Sequence, residues 1–236
     1  MNLLLLEPED LRPDGTARLT GRRLRHALEV LQASGGDRLR VGLLGGGTGS
    51  AEVLGAGEEE LVLRPSLTDP PPPRPGIDLL LAIPRPKALR KVLPAAASLG
   101  VDRIVLVNAA RVEKSYFSSR VLEAAAVREL LVLGLEQARD TRLPEVLVRE
   151  RFRPFVEDEL DGLWPRTLRL LAHPPAHAAP ARDSRRVALA IGPEGGWVPF
   201  EIDLLVSRGF EPFTLGPRTL RVEVAVAYAL GALRGP

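Results

Sequence analysis

The amino-acid sequence predicts two domains: a small, mostly β barrel followed by an α/β domain built on a mainly parallel sheet. Three observations carry that prediction. A proline-rich break divides the chain, because Pro70-Pro71-Pro72-Pro73, Pro75 and Gly76 fit neither a helix nor a central strand. Before the break, short apolar runs are separated by glycine-rich or acidic turns, as in a small barrel. After it, apolar runs alternate with helical stretches, the rhythm of βαβ units whose sheet is covered on both faces. The domains are therefore placed at 1–69 and 77–236, with 70–76 as an extended linker. The 236 residues suit this division, at roughly 100–200 residues per domain.

Each element follows from local pattern. Leu3–Leu6 is a short apolar run, and Thr20 stands where it would cap a helix through Leu31 on which Leu24, Leu28 and Leu31 share a face. Leu39–Leu44, Ala51–Leu54 and Leu61–Arg64 read as strands. The run Gly45-Gly46-Gly47-Thr48-Gly49-Ser50 leads from strand to strand, so no helix N-terminus follows to receive a phosphate, and a hairpin is predicted. Beyond the linker, Ile77–Ile83 is an apolar run, Lys87–Leu99 a helix broken at Pro94, and Arg103–Val107 a strand; Gly100 takes the helix-stop position. Arg120–Arg139 is a long helix, and Leu168–Leu171 and Val187–Ile191 are buried-type strands. Phe200–Arg208 is a helix ended by Gly209, Phe213–Leu215 a strand, and Arg221–Leu233 the last helix.

Composition excludes several functions. There is no cysteine, hence no disulfide framework, thiolate metal site or cysteine nucleophile. His173 and His177 have a ligand-like spacing, but Pro174 and Pro175 between them prevent a regular helix, and with three histidines in all no metal is expected. Neither a Gly-Lys-Ser/Thr phosphate loop nor a Gly-x-Ser-x-Gly elbow occurs. The N-terminus is too short and acidic for a signal peptide, and no run reaches the ~18 apolar residues of a membrane span, so a soluble, cytoplasmic protein is expected.

The formal charge is +2, and of the 32 basic residues only Lys87, Lys91 and Lys114 are lysines. Arginine forks suit phosphates, although a GC-rich genome imposes the same bias. Residues 1–69 carry 8 basic and 11 acidic side chains, residues 70–125 carry 9 and 4, and residues 126–236 carry 15 and 15. Positive charge is thus concentrated at the start of the second domain. Arg18, Arg22, Arg23 and Arg25 lie within eight residues of the acidic first domain and form either a solvated helix face or an RNA contact.

Two strand-to-helix junctions are the candidate site. Ala190-Ile191-Gly192-Pro193-Glu194-Gly195-Gly196-Trp197 takes an apolar strand into a turn with three glycines, at the edge where α/β sheets bind ligands. The alternative is an ordinary tight turn. Thr214-Leu215-Gly216-Pro217-Arg218-Thr219-Leu220-Arg221-Val222-Glu223 repeats the Gly-Pro device, and the two turns can form opposite walls of one pocket. Arg218 and Arg221 oppose the dipole of the following helix, a cost offset either by pairing with Glu223 or by an anionic ligand.

These segments resemble the SPOUT class of methyltransferases, most closely the bacterial family that methylates N3 of a uridine in 16S ribosomal RNA. Ile191–Gly196 is similar to the family's Ile-Gly-Pro-Glu-Gly-Gly turn, and Leu215–Glu223 to its Leu-Gly-x-Arg-x-Leu-Arg-x-Glu segment. Glu136-Gln137-Ala138-Arg139 through Pro144-Glu145-Val146 resembles a third signature, and His26, Val30-Leu31 and Gly36-Asp37 more loosely resemble a PUA-like RNA-binding domain. Valines 222 and 224 replace the threonines that usually flank the glutamate, and Ala95–Val101 lacks the charged pair of the family's Lys-Ala-x-Glu-Leu-Gly-Val helix end.

The resemblance implies a PUA-like barrel, a SPOUT domain with a trefoil knot, a homodimer, and 16S rRNA or the assembled small ribosomal subunit as substrate, with no membrane or metal involved. It implies S-adenosyl-L-methionine held by Leu171, Ala172, Ile191, Gly192, Glu194, Gly195, Gly196, Leu215, Gly216 and Leu220. Arg221 would stabilise negative charge on the uracil as N3 loses its proton, with Glu223 as proton acceptor or as the group that orients Arg221. The absence of cysteine agrees with direct transfer to nitrogen rather than covalent C5 chemistry. Arg22, Arg23, Arg25, His26, Arg85, Lys87, Lys114 and Arg139 are the expected RNA contacts. Ribose 2′-O methylation on the same scaffold and a non-catalytic RNA-binding assembly factor are the alternatives.

Overall fold

Burial decides where each strand lies. The computed structural model describes residues 3–174, 176 and 185–234 and divides the chain into two units, one of Met1–Pro73 with Val132–Leu143, the other of Arg74–Leu131 with Pro144–Pro236.

In the first unit, β1 (Leu4–Leu6), β2 (Ala17–Leu19), β3 (Arg38–Leu43), β4 (Thr48–Ala56) and β5 (Leu61–Asp69) form a mixed sheet in the order β1-β3-β4-β5-β2. Only β1 and β3 pair in parallel. Inward residues alternate along the strands, so Leu39, Val41, Ala51, Val53, Leu61 and Leu63 meet Leu24 and Ala27 in one core. The segment expected as one helix from Thr20 to Leu31 is instead α1 (Gly21–Arg25) continued by π turns over His26–Val30. Thr20 occupies the N-cap position without a side-chain capping bond, and the Leu31 N–H returns to the His26 carbonyl, five residues back.

The glycine-rich run is a hairpin joining β3 and β4, and its glycines serve close packing. A Cβ on Gly49 would stand 2.0 Å from the Ser66 carbonyl oxygen, and one on Gly47 2.8 Å from that of Asp69. Strand β3 has its expected length, shifted by one residue, whereas β4 and β5 are longer than expected because glycines and Pro65 read as turns in isolation. Residues Val132–Leu143 belong with this unit, where the domain expectation had assigned them to 77–236. The Leu3 N–H donates to the Glu136 carbonyl at 2.9 Å, the Gly45 N–H to that of Thr141 at 2.7 Å, and the Thr141 hydroxyl to that of Gly46 at 2.5 Å. A continuous helix carries no mark of where its two halves pack, which is why the pattern missed this.

The second unit contains β6 (Ile77–Ala82), α2 (Pro86–Ser98), β7 (Arg103–Val107), the start of α3 (Ala124–Ala138), β8 (Glu145–Arg149), α4 (Phe152–Pro154), α5 (Leu160–Leu163), β9 (Leu168–Ala172), β10 (Val187–Ile191), α6 (Pro199–Ser207), β11 (Phe210–Phe213) and α7 (Val222–Arg234). Its sheet is wholly parallel, in the order β11-β9-β10-β6-β7-β8. The largely apolar β6, whose one charged residue is the buried Asp78, and the wholly apolar β10 lie at the centre, fully buried, while β8 and β11, which carry exposed charged residues, form the edges. Helix α2 runs unbroken through Pro94. Losing that bond costs ~3 kcal/mol, but Leu89, Val92 and Leu93 are wholly buried and each returns about 1.5–3 kcal/mol. Strand β8 and the helical pieces after it were not expected, β11 lies earlier than Phe213–Leu215, and Arg120–Leu122 is a separate 3₁₀ turn before α3. Among the described residues no helix is long and apolar enough to cross a membrane.

Candidate active site

The C-terminal ends of β9 and β10 and the loop after β11 enclose a cavity of about 350 Å³ in the second unit. That is within the range of about 300–1,000 Å³ of small-ligand sites. It is the position where open parallel sheets bind ligands. Both Gly-Pro turns line it, so the two junctions do face one pocket. Ala172, Ile191, Gly192, Glu194, Gly195, Gly196, Leu215, Gly216 and Leu220 all line the cavity. Leu171 does not; it is wholly buried inside β9, paired with Ala190 of β10 and Pro212 of β11.

The turns need their glycines. Gly196 and Gly216 have φ of +71° and +101°, a left-handed backbone that side chains with a Cβ resist. The Gly196 N–H closes its turn on the Pro193 carbonyl at 2.8 Å, and the Thr214 hydroxyl accepts the Gly216 N–H at 3.1 Å. The carboxylate of Glu194 accepts the Arg85 backbone N–H at 3.0 Å, and the Arg85 guanidinium approaches it at 3.8 Å.

Several lining residues were not singled out as site residues from sequence. Arg111 donates to the Gly195 carbonyl, and a Cβ on Gly195 would press on its side chain at 3.0 Å. The Arg111 loop is anchored by buried Glu201, which accepts the Ala110 N–H at 2.7 Å and the Val198 N–H at 2.9 Å. Glutamate three residues after Val198, with Pro199 opening the helix, was the available signal. His173, Pro174, Pro193, Thr219, Val222 and Ala225 also line the cavity, as does Arg218, one of the two arginines expected near the start of the last helix.

Trp197 is the most informative of them. It is 6% exposed and lines the cavity, and its indole N–H has no hydrogen-bond partner. The other tryptophan, Trp164, donates to buried Asp78 at 2.8 Å. A Cβ at Gly192 would stand 3.1 Å from the Trp197 indole nitrogen, so glycine makes room for the ring there. Apolar walls, glycine-exposed backbone and one unsatisfied buried donor fit a nucleoside-like ligand such as S-adenosylmethionine.

Arg221 and Glu223 stand beside this cavity rather than among its lining residues. The exposed Arg221 sits between Leu220 and Val222, both of which line it, and its carbonyl accepts the Ala225 N–H at 2.8 Å as α7 begins. Glu223 pairs with Lys91 of α2 at 3.2 Å, a partner the sequence did not suggest. Its own backbone N–H and Lys91 hold its carboxyl below the usual range, and Arg221 adds to the effect. Among the described residues no cluster of side chains could hold a metal ion, and His177 lies outside them.

The expected RNA contacts divide. Arg22 forks onto Glu136 with both nitrogens at 3.2 Å. Arg23 is paired with Asp10 and also donates to the Leu5 carbonyl at 3.2 Å. Both therefore brace the first unit rather than present free cations. Arg25, Lys87 and Lys114 are exposed, and His26 is half-buried. Arg139 lines a separate cleft in the first unit.

The model of the RNA methyltransferase domain family matches residues 71–234. The ribosomal RNA small subunit methyltransferase E of Treponema pallidum is 32% identical, over 97% of this chain and 89% of its own length. The protein of that name from Synechocystis is 28% identical over 98% of this chain and 76% of its length. The crystal structure of the Neisseria gonorrhoeae ribosomal RNA small subunit methyltransferase E bound to S-adenosyl methionine shares the fold, with a TM-score of 0.80 at 24% identity over 99% of this chain and 97% of that one. Fold, cavity and family model define an RNA methyltransferase. Within that class, the chain belongs to the ribosomal RNA small subunit methyltransferase E family.

Proposed function

We propose that this protein uses S-adenosylmethionine to methylate N3 of a uridine in 16S ribosomal RNA, either free or in the small subunit. The observation that carries the reading is the meeting of both Gly-Pro turns in one cavity beside Arg221. Backbone groups of Ile191–Gly196 and Leu215–Leu220 hold the cofactor, which supplies an electrophilic methyl group when bound. Uracil N3 becomes nucleophilic only on losing its proton, which passes to solvent water, and Arg221 offers a fixed positive charge to the oxygen that takes up the negative charge. As N3 gains the methyl, the electron pair of the broken S–CH3 bond stays on sulfur. Glu223, kept ionised by its own N–H and by Lys91, suits orienting Arg221 better than accepting a proton near neutral pH.

The first unit acts as a PUA-like RNA-binding barrel and the second as a knotted SPOUT domain; insertion of β10 between β6 and β9 supports the knot. The working form is a homodimer, a reading supported by exposed Val224 and Tyr228, four apart on α7. The test is methyl transfer from labelled cofactor to small subunits that lack the modification. Arg221→Ala is expected to lose transfer while its cofactor affinity stays within a few-fold. Normal turnover by that variant would show that Arg221 plays no such part.

A further inference from the structure

The cleft that contains Arg139 lies wholly within the first unit and has a volume of about 520 Å³. Its walls include Arg38 and Arg40 of β3, Ser50 of β4, and Thr68 and Asp69 at the end of β5. Arg38 and Arg40 project from the exposed face of β3, alternating with buried Leu39 and Val41, and Arg40 stands opposite Ser50 in the strand register. Neither guanidinium has a hydrogen-bond or ion-pair partner among the described residues. The contrast with the basic helix is direct, since Arg22 and Arg23 are neutralised by Glu136 and Asp10.

We infer that this cleft, rather than the basic helix, holds an unpaired stretch of the substrate RNA. The inference rests on the RNA-methylating function proposed above. Arg38 and Arg40 would receive phosphodiester oxygens, for which arginine forks are suited. Asp69 narrows the ligand class. A carboxylate only accepts hydrogen bonds, so it opposes a bare phosphate and favours a strand that brings the ribose 2′-hydroxyl as donor. Phosphate and donor together describe RNA.

The test uses the full chain and a labelled single-stranded oligoribonucleotide of 16S sequence, with the DNA oligonucleotide of the same sequence in parallel. Arg38→Gln with Arg40→Gln is expected to weaken RNA binding at least tenfold. It should also flatten the log–log salt slope by about 1.4, at ~0.7 per phosphate contact on a single strand. Asp69→Asn is expected to shrink the preference for RNA over DNA. Unchanged melting and cofactor affinity within twofold certify the fold. As a second measurement, photo-crosslinking of wild type should place RNA on the peptide carrying Arg38 and Arg40. If wild type methylates ribosomal RNA while the double variant keeps its affinity and salt slope, this site is wrong and the function stands. If wild type neither binds nor methylates RNA, both fall together.

Discussion

Replacing Trp197 by phenylalanine separates the ligand chemistry of the cavity from its packing. The ring that remains still meets Phe152, whose centroid lies 5.6 Å from that of Trp197. What is lost is the indole N–H, buried without a partner. Such a donor costs about 1–3 kcal/mol while unsatisfied and contributes a net ~0.5–1.5 kcal/mol once bonded. The two readouts should therefore move in opposite directions. Ligand-free stability should hold or rise, because relief of the orphaned donor offsets the slightly smaller ring. Cofactor affinity should fall about 2- to 13-fold, the equivalent of one net hydrogen bond. Calorimetry with S-adenosylmethionine measures the second effect and thermal unfolding of the ligand-free protein the first. Fluorescence gives a further check, since the chain has only two tryptophans. A ligand-induced change should survive in Trp164→Phe and vanish in Trp197→Phe. Wild-type affinity in Trp197→Phe would refute the donor role, and a lower ligand-free melting temperature would refute the unsatisfied N–H.

Arg22→Ala should destabilise the first unit, because the Glu136 carboxylate, 9% exposed, loses its partner. The cost should stay below the about 3–5 kcal/mol of a broken buried pair, since the Arg22 side chain is 38% exposed; urea unfolding measures it. Acid should weaken the second unit through Asp161, whose carboxyl is held below its ordinary range by hydrogen bonds from Arg169 at 2.7 Å and Arg208 at 2.9 Å. A depressed folded-state pKa gives stability that is fully present above the unfolded value of about 3.9 and is lost as pH falls through the lower folded value. The effect is small because Asp161 is more than half exposed. Asp161→Asn should flatten that acid limb in unfolding titrations, and an unchanged limb would remove Asp161 from the account. Lys91→Met should release Glu223 from its cation, so that the Glu223 carboxyl titrates higher by NMR than in wild type; an unmoved titration would mean that Lys91 contributes nothing.

Legibility followed the range of the interactions involved. The central strands β6 and β10 were readable because burial on both faces demands apolar runs, interrupted only at Asp78 of β6, whose carboxylate is bonded by Trp164. The glycine turns were readable because positive φ and close ligand approach demand glycine. Strand β8 escaped because an edge strand tolerates Glu145 and Arg149, which hide its apolar centre. The partners of Glu223 and Arg22 escaped for another reason. Lys91 and Glu136 are distant in sequence, and opposite charges carry no periodicity that links them. The arginines of α1 stood out by clustering, yet two of them are absorbed by ion pairs, while the widely separated Arg38, Arg40 and Arg139 meet in one cleft only through folding. Trp197 ends the first glycine turn, but its importance lies in a missing partner, which no sequence pattern encodes.

The central claim is tested most directly by locating the transferred methyl group. Small subunits from cells lacking this activity would be incubated with the protein and isotopically labelled S-adenosylmethionine, and the 16S rRNA digested to nucleosides for mass spectrometry. The account predicts label in 3-methyluridine, absent with Arg221→Ala. Label on a ribose 2′-oxygen, or no label in any nucleoside, would contradict it.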